Sequence, residues 1–207
     1  MAPVRAQVIV LAGPSGAGKT HLAERLDLPI LRLDDFYKNG DDPTLPRIDL
    51  AGGEPIVDWD HRDSWNSDAA VAAVEELCRT GCTDAPVYDI ALNSRTGHRV
   101  LELAGSAYFV AEGIFAQEIV GECRRRGLLA DAFCVTQHPA VTFVRRLTRD
   151  LREHRKQPFV LVRRGLHLLL AQRALVSAAE KLGCRVVTPE AAYREIRALT
   201  NGTGSRG

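Results

Sequence analysis

The segment QVIVLAGPSGAGKT, residues 7–20, decides the fold of this 207-residue chain. Its first half, Gln7 to Ala12, is a short apolar run of the kind found in strands buried on both faces. Its second half fits the pattern G-x-x-x-x-G-K-[ST] and precedes a helix predicted over Lys19 to Leu26. In that context, backbone N–H groups and the start of the helix can surround phosphate oxygens. The sequence therefore predicts a nucleotide-binding α/β protein.

The glycine-rich loop carries two side chains with distinct expected tasks. Lys19 can reach the β- and γ-phosphates as a point charge and stabilise the leaving phosphates, and the Thr20 hydroxyl can bind Mg²⁺. Kinases, GTPases, ATPase motors and regulators use such loops, so the loop predicts nucleotide binding rather than one reaction. The residues expected to bind the nucleotide are Gly13, Pro14, Ser15, Gly16, Ala17, Gly18, Lys19 and Thr20.

Strand-like and helix-like segments alternate along the rest of the chain. Strands are predicted at Ile30–Leu33, Pro86–Ile90, His98–Leu103, Tyr108–Glu112, Asp131–Thr136 and Arg185–Val187. Helices are predicted at Ser67–Arg79, Phe115–Arg126, Pro139–His154, Pro158–Leu182 and Pro189–Leu199. This alternation predicts a three-layer α/β fold with a mainly parallel sheet, and the two short strands on either side of Asn93 predict a small hairpin insertion. We expect residues 1–200 to form a single domain and residues 201–207 to be a disordered tail.

Composition favours a globular protein that acts on small molecules. The formal net charge is +1 and charged residues make up 26% of the chain, so no global field attracts nucleic acid or an anionic membrane. No apolar run approaches the roughly 18 residues that a membrane-spanning helix needs. The sequence predicts a cytoplasmic protein with a small-molecule partner and with neither nucleic-acid nor membrane binding.

Carboxylates follow two of the predicted strands. Asp34 opens the segment DDFY after the second strand, and Glu112 ends the strand that begins at Tyr108. Ligands of open parallel sheets collect beyond such strand ends, so these groups could accept a hydroxyl proton or bind a metal ion. An alternative for Asp34 is an Asx-type turn that closes the strand. Farther along, Asp60 could hold two vicinal hydroxyls of a sugar, or it could simply belong to a solvated loop.

Cations recur along one side of a predicted helix. Arg145, Arg149, Arg152 and Lys156 are spaced i, i+4, i+7 and i+11, which places them on one helical stripe. In a phosphoryl-transfer enzyme such cations can close over the triphosphate and neutralise charge in the transition state. The alternative is a solvated face that is partly ion-paired.

The order of the motifs is more specific than any one of them. After the phosphate loop come DDFY (34–37), DWDHRDSW (58–65), PVYDIALNSR (86–95), VAEGIF (110–115) and RRLTRDLREHRK (145–156). This succession resembles the uridine kinase family of P-loop kinases, and the likeness runs from about Gln7 to Pro189. The aspartate-aromatic box and the PVYD hairpin are its most particular parts.

The resemblance implies catalytic and metal-binding roles. Asp34 matches the base that activates the attacking sugar hydroxyl near Mg²⁺, and Glu112 matches a glutamate that holds Mg²⁺ with Thr20. Asp34, Glu112 and Thr20 are therefore the expected metal ligands. The resemblance also implies a helical lid near residues 145–158, in which Arg146 and Arg149 match arginines that contact phosphates and substrate.

The resemblance also implies an acceptor site. Asp60 matches an acid that grips ribose hydroxyls, and Tyr88 matches a tyrosine that packs near the base. The chain departs from the family at Asn93, where the hairpin commonly has a histidine, at Lys156, where the lid ends in an arginine, and at Arg62, which replaces a proline of the ribose segment. The residues expected to contact the acceptor are Tyr37, Asp60, Tyr88, Asn93, Arg95 and Lys156.

The function implied by the resemblance is that of an ATP- and Mg²⁺-dependent kinase. Its expected acceptor is the 5′-hydroxyl of a nucleoside such as uridine or cytidine. Alternatives are a kinase of the same lineage for another polyol (a sugar phosphate or pantothenate), a P-loop regulator without an acceptor, and a nucleic-acid-binding ATPase. The resemblance also suggests a homo-oligomer.

Overall fold

The computed structural model describes residues 5–49, 54–137 and 173–202. In chain order its strands are β1 (Gln7–Ala12), β2 (Ile30–Arg32), β3 (Arg47–Ile48), β4 (Ile56–Val57), β5 (Cys82–Asp89), β6 (Ser94–Glu102), β7 (Tyr108–Glu112), β8 (Leu129–Val135) and β9 (Arg185–Val187). Its helices are α1 (Lys19–Arg25), α2 (Ser67–Thr80), α3 (Val120–Arg125), α4 (residues 173–181) and α5 (Pro189–Gly202). Three 3-10 turns occupy Leu33–Phe36, Arg62–Ser64 and Ala116–Ile119.

A parallel sheet in the order β2-β7-β1-β8-β9 forms the centre of the described residues. Strand β1 lies between β7 and β8, and its residues from Val8 to Ala12 are fully buried. Val8 and Val10 belong to a core cluster with α2, whereas Ile9 and Leu11 belong to a second cluster with α1 and α5. Because alternate residues of a strand point to opposite faces, the sheet is covered by helices on both sides. The predicted three-layer α/β fold with a mainly parallel sheet is confirmed.

The antiparallel hairpin of β5 and β6 is longer than the sequence predicts. The predicted strands begin at Pro86 and His98, but the ladder runs from Cys82 paired with Glu102 to Asp89 paired with Ser94. The turn falls at residues 90–93, where Asn93 has a left-handed φ of 47°. Asparagine tolerates this conformation better than most residues, so Asn93 suits the last position of the turn, just before Ser94 begins β6.

Two predicted helices also differ in the structure. The helix predicted over Phe115–Arg126 is split into the 3-10 turn Ala116–Ile119 and α3. The last helix extends to Gly202, so the expectation of a disordered tail from residue 201 is wrong for its first two residues. The expected lid, residues 145–158, lies outside the described residues.

None of the helices within the described ranges is long and apolar enough to cross a membrane.

Candidate active site

An open cleft lies where β1, β2 and β7 end. Its cavity is about 970 Å³, and its walls come from the phosphate loop, the 3-10 turn after β2 and the inner face of the hairpin. The ends of these strands are adjacent because Leu11 and Arg32 both pair with Glu112. In doubly wound sheets, ligands collect at the carboxyl ends of strands where the connections diverge. Here the chain after β1 continues to β2 at one edge of the sheet, whereas the chain after β7 continues to β8 on the other side of β1.

The phosphate loop curls tightly because its glycines adopt conformations that other residues avoid. Gly13 has a φ of 136°, and a Cβ atom there would lie 2.3 Å from the carbonyl oxygen of Val135. Lys19 is 8% exposed, and its Nζ donates to the carbonyl oxygens of Gly13 at 2.7 Å and Pro14 at 3.2 Å. The ammonium group is thus held over the loop, where the phosphates of a nucleotide would offer stronger acceptors.

Thr20, Glu112 and Asp34 bring three hard oxygen donors to the cleft. The Thr20 hydroxyl donates to Glu112 Oε1 at 3.2 Å, and Glu112 is only 5% exposed. Burial raises the pKa of Glu112, the nearby Lys19 lowers it, and the charge of Asp34 raises it again. Two carboxylates that repel each other beside a hydroxyl suit a divalent cation with oxygen ligands such as Mg²⁺. The described residues contain no cluster of three His, Cys, Asp or Glu side chains, so this set would need phosphate or water oxygens to complete a metal site.

Asp34 sits in the 3-10 turn that follows β2. The backbone N–H of Ile114, just after β7, donates to Asp34 Oδ1 at 2.9 Å. Gly113 allows this approach, because a Cβ atom there would lie 2.8 Å from the same oxygen and 2.9 Å from Leu33 Cβ. The side chain of Asp34 remains exposed in the cleft that Lys19 also lines.

Aromatic side chains surround Tyr37 at the other end of the cleft. Its ring centroid lies 5.8 Å from that of Tyr88, 5.9 Å from that of Trp59 and 6.0 Å from that of Phe115. Burial raises the pKa of Tyr37, and so do the charges of Asp34 and Asp60. These rings present flat apolar faces, and the hydroxyls of Tyr37 and Tyr88 are occupied by the carbonyl oxygens of Trp59 and Lys38.

The segment that contains Asp60 is fastened to the turn of Asp34. Trp65 Nε1 donates to the carbonyl oxygen of Leu33 at 2.6 Å, and the Ser64 hydroxyl donates to that of Trp59 at 3.2 Å. Asp60 is exposed and does not line the cleft, but it is close enough for its charge to act on Tyr37. The two motifs are distant in sequence but are joined by the hydrogen bond between Trp65 and Leu33.

Comparison with known proteins adds to this geometry. No protein-family model matches the chain. A uridine kinase of Geobacillus kaustophilus is 30% identical over 151 residues, which cover 70% of this chain and 68% of that protein. A uridine kinase of Brevibacillus brevis is 24% identical over 196 residues, which cover 91% of this chain and 87% of that protein.

The chain belongs to the uridine kinase family of P-loop kinases. Its fold is also similar to a solved structure from Silicibacter sp. TM1040, described as a candidate fructose transport system kinase. That structure has a TM-score of 0.61 and 15% identity, and the match covers 90% of this chain and 89% of the other, so it bears on the fold alone. The predicted enzyme class, an ATP-dependent kinase, is confirmed.

Two residues that the family resemblance assigns to the acceptor lie at the tip of the hairpin. The Asn93 carbonyl accepts from Gly40 N–H at 2.7 Å, and the Arg95 N–H donates to Asn39 Oδ1 at 2.9 Å. Arg95 lines a separate surface cavity of about 440 Å³ with Asn39. Neither Asn93 nor Arg95 is part of the cleft wall in this structure, so their contact with an acceptor stays a prediction.

The remaining assigned residues are Arg146, Arg149 and Lys156, and all three lie outside the described residues. Their expected roles in the lid therefore stay predictions as well.

Sequence reasoning missed three charged residues of the cleft. Arg32 ends β2, Asp35 follows Asp34, and Arg99 lies on β6, and all three line the cavity. Asp35 Oδ1 accepts from the N–H of Tyr88 at 3.4 Å, a long bond that joins the turn to the hairpin. Arg32 could have been noticed as the last residue of a strand that points toward the ligand edge. Arg99 gave no local signal, because only the pairing of β5 with β6 brings it to the cleft.

Proposed function

We propose that this enzyme transfers the γ-phosphoryl group of ATP to a hydroxyl of a small metabolite, with Mg²⁺ as its metal ion. The first candidate acceptor is the 5′-hydroxyl of a nucleoside such as uridine or cytidine. The observation that carries the proposal is that Asp34 lines the same cleft as Lys19 and Thr20. A carboxylate beside a phosphate-binding loop offers the general base that a hydroxyl acceptor needs.

Asp34 acts as the base in this proposal. The hydrogen bond from Ile114 N–H orients its carboxylate while the side chain stays open to the cleft. The acceptor hydroxyl passes its proton to this carboxylate as its oxygen bonds to the γ-phosphorus. The bond between that phosphorus and the β–γ bridging oxygen breaks, and ADP leaves. In such transfers, positioning and charge stabilisation supply most of the rate enhancement.

The triphosphate end of the cleft holds the nucleotide. Lys19 exchanges its bonds to loop carbonyls for bonds to the phosphates, which are charge-assisted and stronger. Thr20, Glu112 and Asp34 would hold Mg²⁺, which when bound supplies positive charge to the phosphate oxygens. The proposed role of Arg146 in the lid is to contact the same phosphates, and Arg149 would share it.

The aromatic end of the cleft suits a flat or ring-shaped acceptor. Tyr37 and Tyr88 present ring faces against which a base or sugar can pack. Asp60 would hold vicinal hydroxyls, and Asn93, Arg95 and Lys156 would approach the acceptor from the hairpin tip and the lid. The names of the curated uridine kinases that the chain resembles support a nucleoside.

A second candidate acceptor is another polyol, such as a sugar phosphate or pantothenate. The observation that favours it is the position of Asn93, which stands where the family commonly has a base-contacting histidine and lies outside the cleft wall. A neutral pyrimidine would then have one polar contact fewer in this enzyme than in family members that carry the histidine.

A coupled ADP-release assay of the full chain tests the proposal. Uridine, cytidine, ribose 5-phosphate and pantothenate should be compared at saturating Mg·ATP, with Mg·GTP as a second donor. We expect at least one acceptor to raise ADP release by about 100-fold over basal hydrolysis, because positioning of the acceptor supplies much of the rate. Slow hydrolysis that no acceptor stimulates would contradict a kinase acting on these hydroxyls, and stimulation by an oligonucleotide alone would favour an ATPase that acts on nucleic acid.

A further inference from the structure

Two arginines line the cleft from different elements. Arg32 is the last residue of β2, where it pairs with Glu112, and Arg99 lies on β6 opposite Ala85. Residues directly opposite each other in an antiparallel pair lie on the same face of the hairpin. Ala85 is buried at 4% exposure, so Arg99 lies on the inward face with it. Both arginines line the cavity that Asp34 and Tyr88 also line.

The guanidinium groups of this arginine pair hold no partner of their own among the described residues. Elsewhere, Arg25 holds Glu190 at 2.6 Å and Arg79 holds Glu75 at 2.9 Å. Within residues 5–49, 54–137 and 173–202, no hydrogen bond or ion pair involves the side chain of Arg32 or Arg99. Both side chains are exposed to the cavity, which leaves their donors available to a ligand.

The carboxylate of Asp35 lies within the electrostatic reach of both arginines. Asp35 is half-buried and already accepts from Tyr88 N–H. Burial raises the pKa of Asp35, whereas that backbone bond and the charges of Arg32 and Arg99 lower it. Both arginines therefore act on Asp35, and Arg32 also acts on Glu112, but neither guanidinium forms a hydrogen bond or an ion pair with these carboxylates.

We propose that Arg32 and Arg99 bind an anionic group, a carboxylate or a phosphate monoester, carried by the acceptor. This inference rests on the proposed kinase function and, between its two candidate classes of acceptor, favours the hydroxyl compounds that carry an acid over a neutral nucleoside. Guanidinium groups match both anions with paired N–H donors, and such charge-assisted bonds are about twice as strong as neutral ones. In the proposed function Lys19 binds the nucleotide, and Arg32 and Arg99 are the other two lysine or arginine side chains among the described residues that line this cavity.

Matched probes separate the two anion sources. Pantothenate is compared with pantothenol in the carboxylate arm, and ribose 5-phosphate with ribose in the phosphate arm. Binding is measured by calorimetry on the full chain with the phosphate loop saturated by Mg·AMP-PNP, so that no probe anion occupies that loop. We expect the anionic member of at least one pair to bind about tenfold more tightly than its neutral partner, the effect of one charge-assisted contact.

Variants connect that preference to the arginine pair. Arg32→Gln and Arg99→Gln should each weaken the anionic probe by about tenfold and leave the neutral probe unchanged. Arg197→Gln is the matched control, because Arg197 is exposed on α5 and does not line the cleft. Thermal unfolding of each variant verifies its fold, and Arg99→Lys, which keeps the charge, should retain part of the preference.

The outcomes separate this inference from the proposed function. Equal binding of anionic and neutral probes, or a preference that survives in both glutamine variants, would overturn the arginine site even if uridine is phosphorylated. Binding of an anionic probe that depends on Arg32 and Arg99, without any acceptor-stimulated ADP release, would support the site and refute the kinase reaction.

Discussion

The backbone N–H of Ile114 donates a hydrogen bond of 2.9 Å to Asp34 Oδ1. This bond ties the turn after β2 to the chain that leaves β7, at the edge of the sheet where the phosphate loop also lies. The orientation of the carboxylate is therefore set by backbone rather than by a flexible side chain.

Gly113 is the residue that permits the bond. In Gly113→Ala, the new Cβ atom would lie 2.8 Å from Asp34 Oδ1, so the carboxylate must move. We expect kcat to fall by about 10- to 100-fold while the Kd for Mg·ATP changes little, because misplacement by about 1 Å costs rates of this order. Steady-state kinetics and nucleotide binding measure the two quantities.

Gly121→Ala is the control for that variant. Gly121 lies in α3, and a Cβ atom there meets no atom within 4 Å. This substitution should leave kcat unchanged and stabilise the protein slightly, since alanine favours helix more than glycine does. Equal loss of activity in both variants would mean that crowding at Asp34 is not the cause.

Glu112 is expected to link stability to pH. Burial raises its pKa in the folded protein above the ordinary value of 4.5, so the ionised form disfavours the folded state. The stability that the neutral Glu112 carboxyl gives relative to the ionised one is fully present below pH 4.5, and it is lost as pH rises through the raised pKa of the folded protein. Glu112→Gln should therefore be more stable than the parent protein at pH 7, and the difference should shrink toward pH 4.

Urea unfolding at the two pH values, without nucleotide or Mg²⁺, measures this difference. The same variant should lose activity by about 100-fold or more, because it removes one proposed ligand of the metal ion. A Glu112→Gln protein that is less stable than the parent at pH 7 would show that the ionised carboxylate favours the folded state, which contradicts the expected effect of burial.

Arg62 is expected to hold in place the segment that contains Asp60. Its Nη1 lies 3.2 Å from Glu118 Oε2, which joins the Asp60 segment to the turn before α3. Arg62→Ala should raise the KM for the acceptor by about two- to fivefold, the scale of a partly exposed ion pair, with little change in the KM for ATP. Glu118→Gln should have the same effect, and the double variant should be no worse than either single change. Additive losses would indicate that the two side chains act separately.

Local sequence was enough to predict the first strand, the glycine-rich loop after it and the position of Lys19 at the start of α1. The strand at Gln7–Ala12 and the loop that follows are adjacent in the chain, so one segment contains both the buried pattern and the glycines that curl around Lys19. The presence of Asp34 and Glu112 in the same cleft followed from a rule of topology, because the carboxyl ends of parallel strands share one edge.

Contacts between distant segments made the acceptor end harder to predict. Arg99 reaches the cleft only because β6 pairs with β5 in a register that puts it opposite Ala85. The tip of the same hairpin leans on Gly40 through Asn93, and no local pattern in PVYDIALNSR shows which of its residues point inward. Strand periodicity gives two faces, but only the packing of the hairpin on the Asp34 turn selects the face that meets the ligand.

The most direct measurement of the central claim is the single-turnover rate of Asp34→Asn with Mg·ATP and an acceptor that the parent protein uses. The asparagine side-chain oxygen can still accept the bond from Ile114, so the variant keeps the geometry and loses the base. We expect transfer to fall by about 100- to 10,000-fold, the usual worth of a general base, while the Kd for Mg·ATP stays within about threefold. Transfer at a rate near that of the parent protein would contradict Asp34 as the base.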